Sequence, residues 1–265
     1  MILKRIQILL LAFVLFLVSS CSEYQKLLKS ENYELKYEKA IEYYEDGDYY
    51  KARNLFNELM NIYKGTKRAE KIHYHYAYCL YHEGDLAIAA YHFDRFAKTY
   101  PNSEYTQDAE FQAALCFYDL APQPSLDQSF TKRGIDAFQV FLDKYPKTEY
   151  RDTVNTLVDK LHHRLEKKAY DNAYLYYKIG EYKAAITALG NMIEEYPDSP
   201  YVEDARFYIL KSSYMLADGS VIEKKEERFE NTMDEYYSLL DNYPNTEYKN
   251  EAKKIKEKTQ EYLNK

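Results

Sequence analysis

Tyr100-Pro-Asn-Ser-Glu-Tyr105 is the stretch that decides the fold, because near copies of it recur along the chain, beginning at Tyr145, Tyr196 and Tyr243. A degenerate copy begins at Tyr63, and the intervals between the five copies are 37, 45, 51 and 47 residues. Proline cannot continue a helix, and the Ser, Thr or Asp that follows it can accept hydrogen bonds from the free amides of the next helix. Each copy therefore predicts that one helix ends and another begins, in a unit about as long as a helix pair.

A second marker, a glycine followed by an acidic residue, lies between the copies at Gly47-Asp48, Gly84-Asp85 and Gly180-Glu181. Glycine adopts the left-handed conformation that ends a helix at little cost, and the acid suits the start of the next helix. Apolar residues flank the markers at the i, i+3, i+4, i+7 spacing of a helix face. Before the first glycine they are Tyr37, Ala40, Ile41 and Tyr44. The predicted fold class is all-α, a superhelical stack of about five helix pairs.

Composition agrees with this prediction and excludes other classes. With 7 Gly and 7 Pro in 265 residues, the chain has too few turn residues for an all-β sandwich or barrel. The content of 46% hydrophobic and 30% charged residues is typical of a folded domain, in which 32 tyrosines and no tryptophan supply much of the bulk. The net charge of −7 argues against a nucleic acid partner, because such binding comes largely from Lys and Arg.

The N-terminal region is predicted to be an export signal and not part of the fold. Lys4 and Arg5 precede an apolar run over 8–18, which is too short to cross a bilayer but has the length of a signal-peptide core. The residues that follow, Val18-Ser-Ser-Cys21, resemble the lipobox of bacterial lipoproteins, in which the cysteine becomes lipidated. The alternative is an ordinary signal peptide with a cysteine nearby by chance.

These features predict the domain organisation: a lipoprotein signal peptide over 1–20, a lipidated tether over 21–33 and a repeat domain over 34–265. Lipidation is predicted at Cys21. Ser22 follows it in place of an aspartate, which under the lipoprotein sorting rule points towards the outer membrane. Removing the signal takes away two basic residues and no acidic one, so the net charge falls to −9.

The marker stretches Gly47-Asp-Tyr-Tyr-Lys-Ala52, Gly84-Asp-Leu-Ala-Ile-Ala89 and Gly180-Glu-Tyr-Lys-Ala-Ala185 look like tetratricopeptide repeats. From residue 21 onward the chain resembles the BamD/YfiO family of outer-membrane assembly lipoproteins. That family's long helix, with an arginine-leucine pair and a run of tyrosines, is matched by 161–177, and its loop in the third repeat by 121–133.

The resemblance implies a non-catalytic scaffold without a cofactor, lipid-anchored in the outer membrane and facing the periplasm. The partners it implies are the central β-barrel assembly subunit, bound through that subunit's periplasmic domains, and nascent outer-membrane barrel proteins recognised by a C-terminal signal. In the family the C-terminal repeats mainly hold the partner, and the N-terminal repeats mainly meet the substrate.

A groove for such a substrate is expected on the first helix of each repeat, which faces inward in tetratricopeptide proteins. Tyrosine offers a large contact area at low entropic cost, which suits a peptide rich in aromatic and apolar residues. The alternative is that these tyrosines simply replace other large core residues. The candidate groove residues are Tyr37, Ile41, Tyr44, Tyr74, Tyr78 and Tyr81.

The sequence does not favour a metal site or an enzyme active site. His75, Cys79 and His82 are spaced like metal ligands on a helix face, but no fourth ligand is evident, so we predict no metal site. No nucleophile elbow, zinc-protease motif or phosphate-binding glycine loop is present, so we predict no enzyme. Cys79 and Cys116 lie in apolar helical stretches and are interpreted as buried thiols, with a disulfide between them left open.

Two other functions stay open on the residues alone. One is a glycan-capturing lipoprotein, in which exposed tyrosines stack on sugar rings. Such proteins are usually about twice as long, with large insertions, and often use tryptophan, which is absent here. The other is a generic envelope adaptor with helical repeats, whose sequence would look much like this one.

Overall fold

The computed structural model describes residues 23–265, and their regular structure is entirely helical. Along the chain the main helices form five successive pairs followed by a last helix, which confirms the all-α prediction. They are α1 (Tyr33–Glu45), α2 (Tyr49–Ile62), α3 (Lys67–His82), α4 (Leu86–Thr99), α5 (Thr106–Leu120), α6 (Ser129–Lys144), α7 (Arg151–Lys178), α8 (Tyr182–Glu195), α9 (Val202–Asp218), α10 (Ile222–Asn242) and α11 (Lys249–Leu263). None of the helices within residues 23–265 is both long and apolar enough to cross a membrane.

The glycine markers end helices as predicted. Gly47, Gly84 and Gly180 have φ of +78°, +86° and +83°, in the left-handed region that side chains with a Cβ disfavour. After the first of them, the Asp48 carboxylate accepts from the Lys51 amide at 3.2 Å, capping α2. The sequence pattern thus located the turn inside each of these pairs.

The repeated Tyr-Pro stretches end one pair and begin the next by one mechanism. The hydroxyl oxygens of Ser103, Thr148, Ser199 and Thr246 each accept a hydrogen bond from the amide of the tyrosine two residues later. The amides of the same four residues donate to the carbonyl of the tyrosine that opens the motif. The helix that follows therefore starts at a fixed turn, as the motif predicts.

Residues 23–28 differ from the expected tether. They form a short helix packed on the first pair, with Tyr24 and Leu27 only 6% and 9% exposed. The fully buried ammonium of Lys36 holds the end of this helix, since it donates to the Leu28 carbonyl at 2.9 Å and to Glu58 at 2.6 Å. The apolar spacing of Tyr24, Leu27 and Leu28 explains the docking. The predictions for 1–20 and for lipidation at Cys21 concern residues outside the described range.

The described residues divide into two compact units: 23–120 with 136–152 (unit 1), and 121–135 with 153–265 (unit 2). Unit 1 contains α1–α5 and most of α6, and unit 2 contains most of α7 and all of α8–α11. The alanines at the end of the three marker stretches, Ala52, Ala89 and Ala185, are fully buried, so neighbouring helices approach closely there. Cys79 and Cys116 are free and buried in unit 1, and burial raises the pKa of each thiol to about 12.

Two glycines of the same pair provide a test of this backbone description. Neither Gly180 nor Gly190 has an atom within 4 Å of where a Cβ would lie, but only Gly180 has a positive φ. We expect Gly180→Ala to lower the free energy of unfolding by about 1 kcal/mol because of left-handed strain. Gly190→Ala, inside α8, is expected to raise it by up to about 1 kcal/mol through helix propensity. Urea denaturation followed by circular dichroism measures the change in the free energy of unfolding for each variant. If the two variants change it by the same amount in the same direction, the backbone conformations given for the two glycines are wrong.

Candidate peptide groove

The six predicted groove residues lie in unit 1 on the first helices of two neighbouring pairs. Tyr37, Ile41 and Tyr44 are on α1, and Tyr74, Tyr78 and Tyr81 are on α3. All six side chains are partly exposed, and each trio also packs against the core of its own pair. Each of these side chains therefore combines core packing with partial exposure, and their role in binding a peptide stays a prediction.

The hydroxyls of the α3 tyrosines converge on one carboxylate that was not predicted. Asp108 on α5 accepts from the Tyr74 and Tyr78 hydroxyls, both at 2.6 Å, and its other oxygen accepts from the Tyr150 hydroxyl at 2.9 Å. We call Asp108 with these three tyrosines the Asp108 hub. It fixes the orientation of the Tyr74 and Tyr78 rings, whose centroids lie 4.9 Å apart.

Tyr81 continues this arrangement one turn further along α3, where its hydroxyl donates to Asp119 at 2.8 Å. Burial and Asp119 raise the pKa of Tyr81 to about 12, and burial and Asp108 raise the pKa of Tyr74 and Tyr78. The three hydroxyls thus stay protonated and are already bonded within unit 1. A ligand would meet their ring faces and edges, and not free phenol groups.

On α1 the contacts are aromatic and cationic, with no carboxylate hub. The Tyr37 ring lies 6.0 Å from that of Tyr63 and 5.1 Å from the guanidinium of Arg68, which is paired with Glu34. Tyr44 contacts His75 of α3 with ring centroids 4.4 Å apart. Burial raises the pKa of Tyr44 to about 12. In the α1 trio the rings of Tyr37 and Tyr44 are therefore packed against neighbouring side chains, and Arg68 lies beside Tyr37.

The histidines of α3 are packing residues. His75 lies against Tyr44 and Phe56, and burial, with Lys71 nearby, lowers its pKa to about 4. His82 stacks on Tyr49 at 4.2 Å. Across residues 23–265 no group of three or more His, Cys, Asp or Glu side chains is placed to hold a metal ion.

Unit 2 repeats the geometry of the hub in simpler form. The Tyr248 hydroxyl donates to Asp204 at 2.6 Å, and the Tyr248 ring stacks on Phe207 at 3.9 Å. In unit 1 the corresponding ring of Tyr150 stacks on Phe111 at 4.2 Å. A sequence signal for this was present, since Tyr105-Thr-Gln-Asp-Ala-Glu-Phe111 and Tyr201-Val-Glu-Asp-Ala-Arg-Phe207 share the pattern Tyr-x-x-Asp-Ala-x-Phe.

Unit 2 also has two features for which no binding role was predicted. Tyr170, Tyr174 and Tyr177 follow α7 at the same i, i+4, i+7 spacing as the trios, and Tyr177 lies 4.9 Å from Tyr208 of α9. An open cavity of about 530 Å³ lies between α9 and α11. Its lining includes Lys211, which pairs with Glu251 at 2.8 Å, together with Tyr214, Met215, Lys254 and Lys258. The cavity is therefore lined by both basic and acidic side chains next to apolar ones.

Comparison with solved structures finds tetratricopeptide proteins. The repeat domain of P58(IPK) aligns with a TM-score of 0.42 and 12% identity, covering 91% of this chain and 68% of that one. A second is the TPR2AB domain of yeast Sti1, solved in complex with pHSP90, with a TM-score of 0.42, 12% identity and coverage of 86% and 98%.

Relatives named outer membrane protein assembly factor BamD are found in several bacteria. The Caulobacter vibrioides protein is 24% identical over 179 residues, 68% of this chain, and the chain spans 59% of that protein's length. The Rickettsia prowazekii protein is 25% identical over 201 residues, 76% of each chain. A putative assembly factor of that name from Aquifex aeolicus is 23% identical over 238 residues, 89% of this chain and 77% of that one.

The family comparison covers most of the molecule. The YfiO family, described as outer membrane lipoprotein, matches residues 30–228 and again 163–265. The two matches together include every main helix from α1 to α11. The chain therefore belongs to the YfiO family of outer membrane lipoproteins.

Proposed function

We propose that this chain is a non-catalytic scaffold of the outer-membrane β-barrel assembly machinery, anchored by lipid on Cys21 and facing the periplasm. In this role unit 1 receives unfolded barrel proteins, and unit 2 holds the central barrel-forming subunit. Family membership and the relatives' role as assembly factors support the general assignment. The observation that carries the substrate-binding part is the pair of partly exposed trios on α1 and α3, which together comprise five tyrosines and Ile41.

The trios suit an aromatic and apolar peptide segment better than a polar ligand. The α3 hydroxyls are bonded to Asp108 and Asp119, so the accessible surface of that trio is mainly ring carbon. Rings held in place before binding lose little conformational entropy when a ligand packs on them. An extended chain could thus bind through apolar contact, with selectivity for aromatic side chains.

Unit 2 is proposed as the partner-binding part on different grounds. Its cavity between α9 and α11 is too open to enclose a small ligand, but it presents three lysines beside Tyr214 and Met215. Large protein partners are bound through such combinations of an apolar centre and a charged rim. The assignment of the central subunit to this surface follows the family's division of labour.

The direct test is purification of the chain from gently solubilised envelopes, followed by mass identification of the proteins bound to it. Recovery in stoichiometric amounts of a large protein with periplasmic repeats and a C-terminal barrel is the expected result. Recovery of a glycan transporter, or binding of oligosaccharides by the purified chain, would contradict the proposal in favour of a glycan-capturing lipoprotein.

The anchor is tested by Cys21→Ala. This change removes the acceptor of the lipid, so we expect a periplasmic protein that is released in the soluble fraction. The variant with Ser22→Ala alone is the matched control and should stay in the membrane fraction. Retention of the Cys21→Ala variant on membranes after a high-salt wash would contradict lipid as the main anchor.

A further inference from the structure

The first described residues pack at one particular end of unit 1. Tyr24 lies by the start of α2 and the end of α1: its hydroxyl is 3.5 Å from the Lys51 carbonyl, and its ring is 5.7 Å from that of Tyr43. The other end of this short helix is held near the start of α1, where Lys36 binds the Leu28 carbonyl. The chain therefore enters unit 1 beside the loop that joins α1 to α2.

The loop that joins α3 to α4 lies at the same end. Tyr49 at the start of α2 stacks on His82 at the end of α3, and the Arg53 guanidinium pairs with Glu83 at 2.5 Å. We call this the loop end of unit 1: residues 46–48 and 83–85 with the first two turns of α2 and α4. Glu23 lies only two positions after Cys21 in the sequence, a reach of at most about 7 Å.

Large apolar side chains are exposed at this loop end. Tyr50, on the first turn of α2, is 60% exposed, and Ile88 and Tyr91, on the first two turns of α4, are 51% and 57% exposed. Of the four acidic residues in the two loops, Asp48 pairs with Lys51 at 2.6 Å and Glu83 pairs with Arg53, so about half of the acidic charge at this end is balanced. Tyrosine is enriched where protein meets the polar boundary of a bilayer, since its ring is apolar and its hydroxyl is polar.

From these observations we propose that the loop end of unit 1 lies against the membrane surface, with Tyr50, Ile88 and Tyr91 in contact with lipid. The proposal rests on the lipid anchor at Cys21. A tether of a dozen residues would leave the orientation free, but a helix docked two residues after the anchor does not. Three side chains add little affinity beside a lipid chain, so this surface orients unit 1 and does not anchor it.

The test measures which end of α2 faces the bilayer. Cysteines introduced singly as Tyr50→Cys and Tyr91→Cys carry a fluorescent label, and Ile62→Cys at the far end of α2 is the control. Positions 50 and 62 are separated by about 18 Å along the helix. Cys79 and Cys116 are buried with raised pKa, so the label reacts at the introduced thiol. The lipidated protein is inserted into phosphatidylethanolamine–phosphatidylcholine vesicles containing lipids with a nitroxide near the headgroup.

We expect about threefold or more quenching at positions 50 and 91 relative to position 62, because interfacial side chains sit at the headgroup–acyl boundary. A second protein with Tyr50→Glu and Ile88→Glu, labelled at position 91, should lose most of this excess. Leu35→Glu with Ile62→Glu should not, since both lie at the opposite end. Flotation with the vesicles but equal quenching at 50, 62 and 91 would overturn this proposal alone. Failure to float would overturn it together with the lipid anchor.

Discussion

Asp108→Ala is expected to lower the free energy of unfolding of unit 1 by about 3 kcal/mol, among the largest effects for a single polar substitution in this chain. The change removes the acceptor of three tyrosine hydroxyls, two of them at 2.6 Å, while their rings stay packed between helices. A hydrogen bond to a charged group contributes about 1.5–3 kcal/mol, and partial exposure of these hydroxyls reduces the sum. Urea denaturation followed by circular dichroism at 222 nm measures the effect.

The control is the simpler counterpart in unit 2. Asp204 accepts from Tyr248 at 2.6 Å, so Asp204→Ala should cost about half as much as Asp108→Ala. A second control is a protein that carries Tyr74→Phe, Tyr78→Phe and Tyr150→Phe. In it, Asp108→Ala should lower the free energy of unfolding by less than about 1 kcal/mol, because no tyrosine hydroxyl remains that would lose its hydrogen-bond acceptor. A cost unchanged by the three phenylalanines would show that the Asp108 hub does not act through these hydrogen bonds.

The helix ends could be predicted from sequence because they are set by local chemistry. Gly47, Gly84 and Gly180 adopt a conformation that their own missing Cβ permits, and Thr148 bonds an amide two residues away. Neither effect needs knowledge of the rest of the chain. The order and number of helix pairs followed directly from these positions.

The Asp108 hub could not be predicted in the same way, because its three tyrosines lie 30 to 42 residues from Asp108 in sequence. Tyrosines spaced at i, i+4 and i+7 on a helix indicate which face is partly buried. They do not indicate which group on the next helix accepts a hydrogen bond from each hydroxyl. The repeated pattern Tyr-x-x-Asp-Ala-x-Phe was the one available signal. The pattern can be interpreted only with the structure, in which the Tyr150 ring stacks on Phe111 and the Tyr248 ring stacks on Phe207.

The docked helix at 23–28 shows a different reason for a wrong expectation. The stretch after Cys21 is predicted to be a tether, and it carries two lysines and two glutamates within the nine residues 23–31. Tyr24, Leu27 and Leu28 nevertheless share one helix face, and the first pair alone leaves apolar surface for them to cover. Short helices of this kind form through tertiary packing and not through local propensity, so sequence pattern alone gives them little weight.

Tyr37→Ala combined with Tyr44→Ala is expected to weaken binding of an aromatic-rich C-terminal peptide of a barrel protein by about tenfold or more. Truncating a well-packed aromatic contact costs about 1–2 kcal/mol, and a factor of ten corresponds to about 1.4 kcal/mol. The α1 trio is chosen because its rings are not part of the Asp108 hub, so loss of binding is not confused with loss of that hub. Fluorescence anisotropy of a labelled peptide measures the affinity.

Two controls distinguish the loss of a specific ring contact from a loss of folding and from non-specific binding. Tyr37→Phe keeps the ring over Arg68 and should bind the peptide nearly as well as the unchanged protein. Tyr50→Ala and Tyr91→Ala remove exposed tyrosines from second helices, outside the groove, and should leave the affinity unchanged. If the α1 double variant keeps its helical content but binds as before, the groove does not include α1. If all four alanine changes weaken binding equally, the contact is non-specific aromatic adhesion and the trios have no special role.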